Sequence, residues 1–145
     1  MVKQMTKCED RRVCHGDFHP MNILYQGDKP VVIDWAFTCG GDPRGDVAGT
    51  YLITKIMATT AAAHSPIEQF MYGLFTPLFA KLYLKEYLRL SGYSKKDIKR
   101  WVPIRAATYL DFDIPEKANK RLHKTLKKAL SVYMRKKKAN ESYKR

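Results

Sequence analysis

The sequence of 145 residues contains few cysteines and no long apolar run. Its three cysteines, Cys8, Cys14 and Cys39, are scattered without C-x-x-C spacing, which argues against a disulfide framework and indicates reduced thiols. The longest apolar stretch, residues 70–84, is interrupted by a lysine and falls short of the ~18 apolar residues that a membrane span needs. The first seven residues are polar and lack the apolar segment of a secretory signal. We therefore expect a cytoplasmic protein without a membrane span.

Acidic residues are also scarce, since 14 Asp and Glu stand against 27 Lys and Arg and the net charge is +13. Residues 115–145 contain twelve of the basic residues and only two acids, so this segment alone has a net charge of +10. Such a segment is a candidate for binding RNA, an anionic surface or an acidic partner. Only Tyr133 and Tyr143 are available there to stack on bases, so a solvated helix face is favoured over a basic RNA-binding module. The segment is predicted to form an amphipathic helix whose apolar stripe contains Leu122, Leu126, Leu130 and Tyr133.

Polar residues in three stretches show a spacing typical of phosphate chemistry. The stretches are HGDFHPMN at 15–22, VVIDWAF at 31–37 and GDPRGDVAGTYL at 41–52. The first has the pattern H-x-D-x-x-x-x-N, and the second places an aspartate after a β-branched run. In kinases with this order, the first Asp orients the attacking hydroxyl while the Asn and the later Asp hold metal ions. The corresponding residues here are Asp17, Asn22 and Asp34.

In this order and at these intervals, the three stretches resemble the aminoglycoside phosphotransferase family, which includes the choline kinase relatives. The resemblance covers roughly residues 13–112 and is confined to the C-terminal lobe of the kinase-like fold. Gly16 in the middle of the His-Gly-Asp triplet is usual for the family, whereas Met21 stands where members commonly have Gly. The resemblance implies ATP- and magnesium-dependent transfer of the γ-phosphate to a hydroxyl group of a small-molecule acceptor.

Three residues are candidates for direct contact with the reacting groups. Asp17 is the candidate catalytic residue, because its carboxylate can accept the proton of the acceptor hydroxyl. Asn22 and Asp34 are the candidate metal ligands, since they offer the hard oxygen atoms that Mg²⁺ prefers. Their structural alternatives are a loop Asx-turn and a strand-end cap.

Three further residues are candidates for roles around that centre. The resemblance implies that His15 braces the catalytic loop without proton transfer, and that Asp46 hydrogen-bonds this loop from the first turn of a helix. His19 is a candidate for contact with substrate or phosphate, and a loop histidine bonded to backbone is an equal alternative. Trp35 and Phe37 are predicted to lie in the core and not to stack on a substrate.

The sequence lacks the motifs of the nucleotide-binding lobe of a kinase. It contains no G-x-G-x-x-G run and no strand lysine of the V-A-I-K type, and only twelve residues precede the matched region. We therefore expect the C-terminal lobe of a truncated or split phosphotransferase, inactive alone, with an N-terminal lobe on a separate chain as a candidate partner. The main alternative is a non-catalytic lobe that acts as an interaction module. An unpaired lobe of either kind is expected to expose an apolar patch.

A metal-dependent hydrolase is a further alternative. His15, Asp17 and His19 are residue types that ligate zinc or iron, and they lie close together in the sequence. This alternative leaves Asn22 and Asp34 without a role, so it is less favoured than the phosphotransferase.

The periodicities predict a mainly helical fold with one small β-hairpin, built as a single partial domain over residues 1–145. The hairpin is expected to pair residues 22–25 with residues 30–33, which brings Asn22 and Asp34 to the same edge. Helices are expected from Pro43 to about Ala63, from Ser65 to a stop at Gly92, and from Ser94 to an interruption at Pro103. Residues 113–145 are expected to form the basic amphipathic helix and tail.

Overall fold

The computed structural model describes residues 11–60, 65–112 and 114–142. Within these ranges, four short strands and one 3-10 turn at Pro20–Asn22 come first, and four helices follow. The strands are β1 (Arg12–Cys14), β2 (Ile23–Gln26), β3 (Lys29–Val32) and β4 (Cys39–Gly41). The helices are α1 (Pro43–Thr60), α2 (Pro66–Ser91), α3 (Lys95–Tyr109) and α4 (Glu116–Ser142). The prediction of a mainly helical fold is therefore confirmed.

The predicted hairpin is present as β2 and β3. The two strands pair antiparallel, with Ile23 opposite Val32, and the turn between them contains Gly27 with a φ of 61°. Glycine adopts this left-handed conformation without strain, so it suits a tight hairpin turn. Asn22 lies at the end of the 3-10 turn, directly before the strand in which it was expected.

A second two-stranded sheet, which the sequence patterns did not predict, joins β1 to β4. The strands pair antiparallel with Cys14 opposite Cys39. Strands of three residues are too short to show an alternating pattern, and this pairing joins segments that lie on either side of the hairpin. The sheet brings together two of the three motif stretches, because His15 directly follows β1 and Asp42 directly follows β4.

The predicted helix boundaries around α2 and α3 are confirmed by their caps. The Ser65 hydroxyl accepts a hydrogen bond from the Glu68 amide at 3.2 Å, and Gly92 ends α2 in the left-handed conformation with a φ of 72°. Ser94 and Asp97 form a reciprocal capping box at the start of α3. These short polar signals therefore fix where both helices begin and where α2 ends.

The prediction that Pro103 interrupts its helix is wrong. Helix α3 continues through Pro103, as α2 continues through Pro77. A proline inside a helix removes the hydrogen bond to the carbonyl four residues earlier, which for Pro103 is that of Lys99. The neighbouring residues Val102 and Ala106 pack into the core, and this packing holds the helical path despite the lost bond.

Helix α1 lies at the centre of the helical region and packs against α2, α3 and α4. One buried cluster joins α1, α3 and α4 and contains Leu52, Ile56, Ala106, Tyr109, Ala118 and Leu122. A second buried cluster joins α1, α2 and α3 and contains Val47, Ala48, Leu84 and Ile98. The start of α1, which follows β4 directly, is therefore held by core contacts close to the polar motifs.

Helix α2 has apolar residues on its outer side as well as on its inner side. Ala80 and Leu84 are buried on the inner side. The outer side exposes Ile67, Phe70, Met71, Leu74, Phe75, Leu78 and Leu82. The outer side of α2 is therefore an exposed apolar surface. Of the helices in the described ranges, none combines the length and the apolar character required to cross a membrane.

Candidate active site

The loop after β1 carries the His-Gly-Asp triplet and turns sharply at Gly16. This residue has a φ of 87°, and a Cβ atom placed on it would lie 2.3 Å from the carbonyl oxygen of Phe37. No side chain fits so close to backbone in this conformation, so the position requires glycine. The close approach sets the loop against the segment that follows Asp34.

Asp46 holds this loop from the first turn of α1. Its Oδ2 accepts a hydrogen bond from the amide of His15 at 2.9 Å, and its Oδ1 accepts one from the amide of Gly16 at 2.8 Å. Two successive amides of the loop therefore donate to one carboxylate, and such bonds to a charged acceptor are among the stronger ones in proteins. The structure thus places Asp46 where a residue that positions the loop would lie.

His15 is buried and both of its ring nitrogens contact the backbone. Its Nδ1 accepts a hydrogen bond from the amide of Asp17 at 3.4 Å, so the proton is on Nε2, which donates to the carbonyl oxygen of Ile33 at 2.9 Å. The ring also packs on Trp35, with 4.6 Å between ring centroids. His15 links the His-Gly-Asp loop to the end of the hairpin, and both of its ring nitrogens are used in these contacts.

Asp17 is partly buried and close to a histidine. His19 Nε2 lies 3.7 Å from Asp17 Oδ2, and the interaction with His19 is the main cause that holds the pKa of Asp17 below its ordinary value. The positive charge of Arg105 lowers this pKa further. The carboxylate is therefore ionised at neutral pH, the state in which it accepts a hydroxyl proton. The Nδ1 of His19 is buried and has no hydrogen-bond partner among the described residues.

Asn22 connects the loop that carries Asp17 to the hairpin. Its side chain is buried, and its Nδ2 donates to the carbonyl oxygen of Asp17 at 3.0 Å, which leaves Oδ1 as the atom that can accept or ligate. Its backbone carbonyl accepts a hydrogen bond from the amide of Ile33 at 3.0 Å. Asp34, which follows Ile33 in the sequence, is exposed and has a φ of 59°. Aspartate tolerates this left-handed conformation better than most residues, and such conformations are frequent at functional sites.

The donor set of Asn22 and Asp34 fits a magnesium ion that binds together with phosphate. Mg²⁺ is usually held by one or two carboxylate or amide oxygens, while phosphate oxygens and water complete its coordination. In the part of the chain that the structure describes, no three His, Cys, Asp or Glu side chains form a group that would hold a metal by themselves. The hydrolase alternative needs such a group at His15, Asp17 and His19. The geometry does not support it, because both ring nitrogens of His15 contact backbone atoms.

Arg105 on α3 belongs to the site and was not found by sequence reasoning. One of its guanidinium nitrogens donates to the carbonyl oxygen of Gly16 at 2.5 Å, across 89 residues of sequence. The side chain crosses α1 at Gly49, where a Cβ atom would lie 2.6 Å from the Arg105 Nε. It also lies over the ring of Tyr109, 5.2 Å from the centroid. The available signal was a single arginine inside an otherwise mostly apolar stretch of α3.

The prediction that Trp35 and Phe37 lie in the core is wrong, because they are 50% and 52% exposed. The hairpin is a sheet of only two strands, and on this side no described element covers it. We give the name hairpin face to exposed apolar residues of the hairpin and of the segments that flank it, namely Met21, Leu24, Val31, Trp35 and Phe37, each more than 40% exposed. Leu24 and Val31 are directly opposed across the two strands, so they share one side of the sheet. The hairpin face therefore lies beside the candidate metal ligands.

Comparison with known proteins identifies the family. The sequence model of the phosphotransferase enzyme family APH matches residues 3–87, a region that includes all six predicted site residues and ends inside α2. No curated protein and no solved structure matches the chain. The family match covers more than half of the 145 residues, and it coincides with the segments that the Asp46 carboxylate and the His15 ring tie together. The chain therefore belongs to the APH phosphotransferase family.

Proposed function

We propose that this chain takes part in the magnesium-dependent transfer of the γ-phosphate of ATP to a hydroxyl group of a small molecule. Asp17 accepts the hydroxyl proton as the hydroxyl oxygen forms its bond to the γ-phosphorus, and the bond between that phosphorus and the β–γ bridging oxygen breaks. Asn22 and Asp34 would hold Mg²⁺, which neutralises charge on the phosphate oxygens when bound. His15, Asp46 and the other positioning contacts keep these groups in place.

The observation that carries this proposal is the set of hydrogen bonds around Asn22. Its side chain binds the backbone of Asp17, and its own backbone binds Ile33, the residue before Asp34. The candidate base and the two candidate metal ligands therefore lie on segments that one buried residue joins. A phosphotransferase needs this arrangement, since the metal-bound phosphate must lie in line with the hydroxyl that the base orients.

We further propose that a second lobe packs on the hairpin face and supplies the contacts to the nucleotide. The described residues contain two sheets of two strands each, and neither has the extent of a nucleotide-binding β-lobe. Half-exposed Trp35, Phe37 and Leu24 are the kind of apolar surface that another structural unit covers. That lobe belongs to the same polypeptide or to a separate chain. The use of ATP and the free thiols of Cys14 and Cys39 favour a cytoplasmic location.

A non-catalytic interaction module is the second candidate, and the hairpin face is the observation that favours it. In that case the hairpin face binds a partner, and Asp17 and Asp34 have no role in chemistry. The two candidates predict different effects when the charge of Asp17 is removed. If the chain is an enzyme, the change abolishes phosphoryl transfer. If it is an interaction module, the apolar contact with the partner stays intact.

The test is transfer of radiolabelled γ-phosphate from ATP to a panel of hydroxyl compounds that includes an aminoglycoside, choline and a sugar. The chain is assayed alone and co-expressed with the polypeptide encoded by the adjacent upstream reading frame. Asp17→Asn and Asp34→Asn should each lower the rate by roughly 100-fold or more, because general base and metal contributions are of this size. Asp28→Asn in the exposed hairpin turn is the matched control and should keep the wild-type rate. Wild-type transfer by the Asp17→Asn variant would refute the proposed chemistry.

A further inference from the structure

The second half of α4 extends beyond the core of the protein. Ala118 and Leu122 in its first half are fully buried, and Leu126 is the last residue of the helix that packs against the core. Leu130, one turn further on, is 60% exposed. At 1.5 Å per residue, the part of α4 from Lys127 to its end is about 24 Å long. This part of the helix therefore offers its surface to something other than the described core.

Several basic residues of this extension lie on the side opposite its apolar residues. The stripe that begins with buried Leu122 continues at the same helical spacing through Leu130, Tyr133 and Met134, which are 60%, 42% and 50% exposed. Exposed Lys124, Lys128 and Arg135 follow the other side of the helix. Lys127 and Lys137, also exposed, lie beside the apolar residues, and their long side chains can carry the charge away from that surface. Val132 lies at the border between the two sides. The extension is thus an amphipathic helix whose apolar side the described residues leave uncovered.

The charge of α4 restricts what can cover it. The helix contains ten Lys or Arg residues and two acidic residues, Glu116 and Glu141. A second copy of this chain would bring the same positive charge, and its α4 would be repelled. A nucleic acid would neutralise the charge but offers no apolar surface for Leu130 and Met134. A bilayer with anionic lipids meets both sides of the helix, because its headgroups attract lysine and arginine while its acyl boundary accepts apolar side chains.

We propose that the second half of α4 docks on an anionic lipid surface. The helix lies in the plane of the interface, with Leu130 and Met134 at the acyl boundary and Tyr133 at the level of the headgroups. Lys127, Lys128 and Arg135 contact lipid phosphates. This is peripheral attachment, and it does not depend on the phosphotransfer proposed above.

The first test measures flotation of the full chain with vesicles of phosphatidylcholine alone or with about 30% phosphatidylserine. The chain should bind the anionic vesicles and not the neutral ones. The triple variant Lys127→Gln/Lys128→Gln/Arg135→Gln should bind roughly tenfold more weakly or worse, since each basic residue near the surface contributes about a fivefold gain. The matched control removes the same charge from α3, at Lys95, Lys96 and Lys99, and should bind nearly as wild type. Equal binding to both kinds of vesicle, or equal loss in both triple variants, would overturn the proposal.

The second test examines the apolar side. Leu130→Gln/Met134→Gln keeps the charge and should lower anionic vesicle binding roughly tenfold. After subtraction of the emission of native Trp35 and Trp101, Tyr133→Trp should show a blue shift on vesicle addition, whereas Ser131→Trp on the polar side should not. All these positions are exposed, so the variants should keep the wild-type helical content by circular dichroism. Binding to an RNA 20-mer that is as tight as vesicle binding and unchanged in the apolar variant would overturn the proposal in favour of nucleic acid.

Discussion

Replacement of Asp46 by alanine should destabilise the fold strongly, although the residue lies outside the core clusters. The variant removes the acceptor of the His15 and Gly16 amides, which donate at 2.9 and 2.8 Å. Hydrogen bonds to a charged group contribute about 1.5–3 kcal/mol each. Asp46 is only partly buried, so the lower end of that range applies to both bonds, and the expected loss in the free energy of unfolding is about 3 kcal/mol.

Urea unfolding followed by circular dichroism measures this loss, with Asp28→Ala as the matched control because that aspartate lies in the exposed hairpin turn. The control should change the free energy of unfolding by less than about 0.5 kcal/mol. Amide spectra of the Asp46→Ala variant should show shifts centred on His15 and Gly16. A loss below about 0.5 kcal/mol with unchanged spectra would refute the conclusion that Asp46 holds the loop.

Three further results follow from the contacts of the site. His19→Ala should raise the pKa of Asp17 towards its ordinary value in a carboxyl NMR titration, because His19 is the main cause of the lowered pKa; an unchanged pKa would contradict this. The depressed pKa means that this pair stabilises the fold at neutral pH, and that its contribution is lost as the pH falls through the folded pKa of Asp17. Arg105→Met should lower the free energy of unfolding by about 1.5 kcal/mol or more, because the charged hydrogen bond to the Gly16 carbonyl is lost. Replacement of an exposed lysine of α3 by methionine should change the free energy of unfolding little. Equal losses in the two variants would count against the contact between Arg105 and Gly16. In a Cys8→Ser background, maleimide at pH 7 should label exposed Cys39 and leave Cys14 unlabelled. The reason is that burial, and secondly the negative charge of nearby acids, raise the pKa of the Cys14 thiol to about 11. Equal labelling of both cysteines would show that the pairing of β1 with β4 is open.

Local signals made much of the fold predictable from the sequence. The hairpin turn at Gly27, the cap at Ser65 and the stop at Gly92 each depend on residues within a few positions, and the structure has all three. The pairing of β1 with β4 depends on contacts across the hairpin, and strands of three residues give no periodic signal. The helix through Pro103 was mispredicted for a similar reason, since core packing outweighed one lost backbone bond.

The candidate site was predictable in its composition and not in its geometry. The motif indicated which residues carry oxygen atoms, but the role of Asn22 as a link between Asp17 and Ile33 needed coordinates. Arg105 comes from a helix beyond the matched region, so no motif pointed to it. The exposure of Trp35 was mispredicted because an aromatic residue after a β-branched run is usually buried, whereas here no described element covers that side of the hairpin.

The most direct test of the account is where a magnesium ion with nucleotide binds on this chain. Because the net charge is +13, ATP alone is expected to bind basic residues without selectivity, so the position of the metal is the informative quantity. Mn²⁺ in place of Mg²⁺ broadens NMR signals of nearby atoms, and in the presence of ATP it should broaden the Asn22 side-chain amide and the Asp34 backbone amide first. Asp34→Asn should abolish this broadening. Broadening confined to the lysines of α4, with the signals of Asn22 and Asp34 unchanged, would contradict the account.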